Sequence, residues 1–177
     1  MLEHPKELKE NEVTFNQLVR ENHQKIYSLL RKMVRSHEEA DDLMQETFLK
    51  VYKNLSKFRY QSQPGTWIYR IAVNTAINYL RREKLHQFLN LESAYSIREE
   101  VPNSPSEELR EILRRAVGKL PPRQQVTVML RIYQELSFKE IAAIMECTEN
   151  AAKVNFSHAV NNLRILLNKV GVNFESL

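Results

Sequence analysis

Apolar residues recur at three- and four-residue spacing along almost the whole chain, the period of an amphipathic helix. Phe15, Leu18, Val19, Ile26, Leu29, Leu30 and Met33 mark one apolar face, so a first helix is expected there. Ser36 has the chemistry of an N-cap, and Glu38 and Glu39 follow in the first turn, where the helix dipole favours acids. The second helix then runs to about Phe58 and buries Ala40, Leu43, Met44, Phe48, Val51 and Leu55. Residues 59–65 are polar and end in Pro64-Gly65, which predicts a loop. Thr66 opens a third helix reaching about Lys84, with Trp67, Ile71, Thr75 and Tyr79 facing inward and Ile68, Ala72, Ala76 and Leu80 beside them.

The pattern lapses after that helix. Between Leu91 and Pro105 the apolar residues are sparse and Pro102 and Pro105 bracket Asn103 and Ser104, so a linker is expected. Ser106 can cap the next helix, which ends near Gly118. Pro121-Pro122 breaks the chain, with Pro122 fit for the first turn of a helix reaching Tyr133. Ser137, with Glu140 three residues on, has the capping-box form and starts a short helix to Met145. Residues 146–148 read as a turn, and a longer helix covers residues 150–167, with Ala152, Phe156, Ala159, Leu163 and Leu166 as its apolar stripe. The fold class is all-α: an N-terminal tail (1–13), an N-terminal helical bundle (14–88), a flexible linker (89–105) and a second small helical domain (106–177) carrying a helix-turn-helix.

Composition narrows the function classes. The chain has 177 residues, 42% of them hydrophobic, enough for a core in each half. Three glycines leave no Gly-rich phosphate loop. The single cysteine, Cys147, excludes an internal disulfide and a cysteine metal cluster, and the five histidines lack ligand spacing. No cofactor or metal is expected, and catalysis is not. No apolar run reaches membrane-spanning length and the charged start does not read as a signal peptide, so the expected location is the cytoplasm, without membrane insertion.

A net charge of +4 is a mild tilt toward polyanions, but its distribution says more. An acidic block, Glu38, Glu39, Asp41, Asp42 and Glu46, precedes a stretch in which Lys50, Lys53, Lys57, Arg59, Arg70, Arg81, Arg82 and Lys84 face one acid, Glu83. Two partners of opposite charge would explain this; a solvated surface would too. The acidic helix mixes acids with apolar groups, which suits docking of a basic or amphipathic helix or an ordinary solvated first turn. On the third helix Arg70, Asn74, Asn78 and Arg81 form a polar row; Arg suits phosphate or guanine, and Asn suits adenine. Tyr60, Gln61, Ser62 and Gln63 lie just before it. Tyr60 and Trp67 can stack on unpaired bases or, for Trp67, pack in the core. On the last helix Asn150, Lys153, Val154, Ser157 and His158 lie opposite the apolar stripe, a width and polarity that fit a DNA major groove.

Together these segments resemble a group 4, or extracytoplasmic function (ECF), sigma factor of bacterial RNA polymerase, over about residues 15–167. Residues 41–48 resemble the family's core-binding motif, residues 66–82 its −10-recognition helix, residues 120–124 the start of its C-terminal domain, and residues 136–142 its first helix-turn-helix element. The resemblance implies that Asp41, Asp42, Leu43, Gln45, Glu46 and Phe48 dock on the clamp coiled coil of the polymerase's largest subunit. It implies that Tyr60, Gln61, Ser62, Gln63, Trp67, Arg70, Asn74, Asn78 and Arg81 read and open the −10 element, and that Asn150, Lys153, Val154, Ser157 and His158 read the −35 element. The linker would thread toward the active-site channel and RNA exit path, and a separate anti-sigma factor would hold the protein inactive. The recognition helix departs from the family's basic pattern at Asn155, His158 and Val160. Two other readings compete: a dimeric helix-turn-helix regulator that binds DNA alone, and a helical-bundle enzyme using Asp41, Asp42 and Glu46.

Overall fold

A computed structural model describes residues 5–58, 62–89 and 105–172, with side chains from residues 15 and 106 onward in the first and third stretches. Among them the chain forms α1 (Pro5–Arg31), α2 (His37–Asn54) closed by a 3-10 turn (Leu55–Lys57), α3 (Pro64–Leu89), α4 (Pro105–Lys119), α5 (Pro122–Ile132), α6 (Phe138–Met145) and α7 (Glu149–Asn168). The all-α expectation holds. Tyr60, Gln61 and almost all of the expected linker lie outside the described residues.

Local chemistry sets the helix starts. The Ser36 hydroxyl accepts the Glu39 N–H at 3.0 Å, and the Glu39 carboxylate accepts the N–H groups of Ser36 and Arg35 at 3.1 and 2.7 Å. Ser137 and Glu140 repeat that reciprocal cap at α6, and the Thr148 hydroxyl accepts the Ala151 N–H to start α7. These caps occupy amide donors that the first turn leaves without partners. Two starts differ from expectation. Pro64-Gly65, expected in a loop, forms the first turn of α3, because proline's fixed φ suits that position and its missing N–H costs nothing there. Helix α1 begins at Pro5, so most of the expected tail is helical backbone.

Helices α1, α2 and α3 pack around Ile26, Leu29, Leu30, Ala40, Val51, Ile68 and Ala72, all wholly buried. Polar ties join the layers: Lys50 donates to the Thr75 hydroxyl at 3.0 Å, and the Tyr79 hydroxyl bonds to Glu39. In the C-terminal half α7 lies against α4, α5 and α6, over a cluster containing Leu120, Val128, Ala159, Leu163 and Leu167. Leu167 is the buried residue at the end of that stripe, and the expected Leu166 only half-buries.

The two halves also meet. Helix α3 packs against α5 and α6 as well as against α1 and α2. One continuous buried cluster runs from Leu18 through α3 to Met145 and Ala152. Accordingly α3 buries more than the expected stripe: Val73 and Ile77, on another side of the helix, are 0% and 4% exposed. A helix apolar on two sides has two neighbours to satisfy.

Candidate nucleic-acid interface

The outer face of α2 is an acidic-to-apolar seam. Glu38, Asp41, Asp42 and Gln45 are exposed, and so are Leu49 and Tyr52 further along. Glu38, Asp42, Gln45, Leu49 and Tyr52 follow one another at alternating four- and three-residue steps, so they line one side of the helix. Tyr52 rests edge-on against Phe15, with ring centroids 5.2 Å apart. Two large apolar side chains left in water beside carboxylates form a patch suited to an amphipathic partner. The sequence reading missed Leu49 and Tyr52, and the signal for them was this same spacing.

Three of the residues expected on that surface do other work. Leu43 and Phe48 are 3% and 8% exposed and fasten α2 to the core. Burial follows from the helical period, which turns both positions inward. Glu46 holds Lys50 at 2.7 Å, and Lys50 reaches on to Thr75, so this carboxylate belongs to the α2–α3 contact. Asp41, Asp42 and Gln45 remain as the open polar group.

On α3 the expected row divides. Asn74, Asn78 and Arg81 are exposed, with Gln63 open just ahead of the helix and Ser62 half-buried beside it. Arg70 is instead engaged across the molecule: one guanidinium nitrogen donates to Glu146 Oε1 at 3.0 Å and another to the Ala143 carbonyl at 3.1 Å. Trp67 is half-buried and stacked on Phe58, with centroids 4.6 Å apart, so one of its faces is already covered. A cleft of about 450 Å³ lies next to Gln63, Pro64 and Gly65, walled on the α1 side by Gln17, Leu18, Glu21, Asn22 and Lys25. Asn22 is buried and donates to the Leu18 carbonyl at 2.8 Å, which fixes its amide in that wall.

Asn150, Lys153, Val154, Ser157 and His158 are all exposed on α7. They form a contiguous face away from α4, α5 and α6. The Lys153 ammonium sits 2.7 Å from Glu149 with both side chains half in water, and its hydrogen bond, then its charge, lowers the Glu149 pKa. The supporting frame is tied by side-chain hydrogen bonds and ring contacts. Arg123 donates to the Met145 carbonyl, Asn162 to Gln124, and Arg131 to the Leu136 carbonyl while lying over the Phe138 ring. Phe138 in turn meets Phe156 edge-on at 5.6 Å. The turn itself holds Glu146 in the left-handed region at φ 51°. Among the described residues no group of three His, Cys, Asp or Glu side chains could hold a metal ion, and no described helix is long and apolar enough to cross a membrane.

Comparison with known proteins places these surfaces in context. Residues 18–86 match the sigma-70 region 2 family and residues 110–163 the sigma-70 region 4 family. The chain is 40% identical over 152 residues, 78% of either chain, to the ECF RNA polymerase sigma-E factor of Escherichia coli. It is 30% identical over 161 residues to the ECF RNA polymerase sigma factor SigM of Mycobacterium tuberculosis, covering 90% of this chain and 81% of that one. In fold it is similar to the sigma factor RpoE of Bartonella quintana, solved in complex with the anti-sigma factor NepR, with a TM-score of 0.62, 21% identity and coverage of 88% and 97%. CnrH, solved with the cytosolic domain of CnrY, gives a TM-score of 0.63 at 20% identity, with coverage of 89% and 90%.

Proposed function

We propose that this chain, which belongs to the ECF sigma factors of the sigma-70 family, binds core RNA polymerase through the outer face of α2 and reads promoter DNA with α3 and α7. The carrying observation is the order of three open surfaces along one chain: the α2 seam, the α3 row and the α7 face. Each lies inside a segment that matches the family, the first two in region 2 and the third in region 4.

Asp41, Asp42 and Gln45, extended by Leu49 and Tyr52, supply carboxylates and an apolar platform for the clamp coiled coil of the largest subunit. Gln63, Asn74, Asn78 and Arg81 read the −10 element, joined by Tyr60, Gln61 and Ser62 from the preceding loop and by Arg70 once its ties to Glu146 and Ala143 are released. The cleft beside Gln63 and Gly65 takes a base extruded from the duplex, walled by the Asn22 amide and Lys25. Asn150, Lys153, Val154, Ser157 and His158 read the −35 element in the major groove. Residues 14–88 and 106–177 are the two working domains, with residues 89–105 as the strap between them. Each DNA contact alone is weak and salt-sensitive, and polymerase joins them by raising the effective concentration of one beside the other. A separate anti-sigma factor controls access, a role supported by the fold neighbour solved with the anti-sigma factor NepR.

The test is run-off transcription from a promoter library with purified core polymerase, with and without this chain. Transcripts sharing a −35 and −10 pair only when the chain is present are expected. No transcripts, together with no comigration with core polymerase, would discard the assignment.

A further inference from the structure

Two polar ties join α2 to α3, and neither belongs to an open surface. At one, Lys50 donates to the Thr75 hydroxyl at 3.0 Å while its ammonium stays 2.7 Å from Glu46. At the other, the Tyr79 hydroxyl donates to the Glu39 carboxylate, which also accepts the N–H groups of Arg35 and Ser36. Thr75 is 1% exposed and Tyr79 is half-buried, so both hydroxyls lie largely out of water. The four residues hold a regular place in the chain. Glu39 and Lys50 each follow a member of the α2 seam, Glu38 and Leu49. Thr75 and Tyr79 each follow a member of the α3 row, Asn74 and Asn78. One residue is about 100° of helical turn, so each tie stands a little over a quarter turn from the surface beside it. Both ties therefore close only when the seam of α2 and the row of α3 stand at one relative angle.

We infer that Glu39, Lys50, Thr75 and Tyr79 are positioning residues: they set the angle at which α3 presents Asn74 and Asn78 to DNA, relative to the face of α2 that docks on polymerase. The inference rests on the docking and −10 assignments above. Apolar packing holds that angle loosely. Midway along α3 the wholly buried Ala72 and Ala76 offer only single methyl groups as knobs, which resist a turn of the helix poorly. Hydrogen bonds are directional, and a satisfied polar contact in the interior fixes geometry where methyl groups do not. A side-chain tip lies roughly 6 Å from the helix axis, so turning α3 by about 20° carries that tip about 2 Å. An Asn side chain that pairs with adenine through two hydrogen bonds loses both at such a displacement. The ties read no base themselves, since Thr75 is buried and the Tyr79 hydroxyl is bonded to α2. They act on promoter choice only through the aim of Asn74 and Asn78.

The test uses the full chain with Thr75→Val and Tyr79→Phe, singly and together. Each change removes one hydroxyl and keeps nearly the same shape. Each also leaves the charged partner occupied, Lys50 by Glu46 and Glu39 by two backbone N–H groups. Affinity for core polymerase is measured by titration, and base preference by run-off transcription from a library of −10 variants. The double variant is expected to bind core polymerase within about twofold of wild type, yet to lose roughly fivefold of its base preference at the positions read by Asn74 and Asn78. Thr75→Ser keeps the hydroxyl and should keep the wild-type preference. Lost stability alone lowers transcript from every promoter in proportion and leaves the ratios between promoters unchanged, so the ratios report aim rather than folding. Unchanged ratios in the double variant, or an equal loss with Thr75→Ser, would overturn the positioning role. A parallel fall in affinity for core polymerase would overturn it too, since the ties would then serve docking. Asn74→Ala and Asn78→Ala, run alongside, test the premise separately: if neither shifts the ratios, the −10 assignment fails and the positioning role goes with it.

Discussion

At the scale of single residues, the caps carry the clearest consequences. Ser137 supplies one acceptor to the first turn of α6, and Ser137→Ala should lower unfolding stability by about 1 kcal/mol in urea titrations, without changing the far-ultraviolet dichroism of the folded chain. Glu39 makes a sharper case. Burial pushes its pKa up, but the N–H groups of Arg35 and Ser36 and the Tyr79 hydroxyl outweigh that and bring the net value below 4.5. A carboxyl lowered on folding contributes stability that is present above its unfolded value and lost as pH falls through the folded one. Thermal melts should therefore fall below about pH 4.5, and Glu39→Gln should flatten that limb while lowering stability at neutral pH. A variant limb as steep as the wild type would show that the carboxylate contributes nothing there. Both serine caps were legible in the sequence because a cap is a local pattern. Glu146 as the partner of Arg70 was not, since the two positions meet only through tertiary packing.

At the scale of elements, α2 and α3 show why a stripe is easier to read than a surface. The inward residues of α2 follow from the helical period, and Leu43 and Phe48 fall where that period puts them. Leu49 and Tyr52 are equally apolar, and only the absence of a neighbouring helix leaves them open. Asp42→Lys and Leu49→Asp should each weaken binding to core polymerase in a pull-down or titration, with unchanged melting temperature, because both positions are exposed. Unchanged affinity in both would remove the seam from the docking surface. Asn74→Ala should relax base preference at the −10 element by about 1–3 kcal/mol of discrimination at one position, read from a promoter library, while core binding stays constant. Val73 and Ile77 were assigned to no stripe, although two apolar residues on another side of α3 were themselves the sign of a second packing partner.

At the scale of the whole molecule, the division into two helical units is legible from the lapse in pattern between Leu91 and Pro105. Their packing against each other leaves only the second apolar side of α3 as a sign, and the polar partners across it are set by tertiary packing alone. The shared buried cluster predicts cooperativity: the wild-type chain should unfold in one urea transition whatever the probe. A variant carrying Glu146→Gly and Gln134→Ala, which removes the partners of Arg70 and Tyr69, should separate into two, followed by Trp67 fluorescence for the N-terminal half and by dichroism for the whole. A single unchanged transition in that variant would mean that apolar packing alone couples the halves.

The row on α3 also acts as a ruler. At 1.5 Å per residue, Arg70 to Arg81 measures about 16 Å along the helix. That equals the rise of about five base pairs. A straight helix laid along a duplex therefore contacts no more than about half a turn of DNA, which caps the number of adjacent bases that α3 alone can specify.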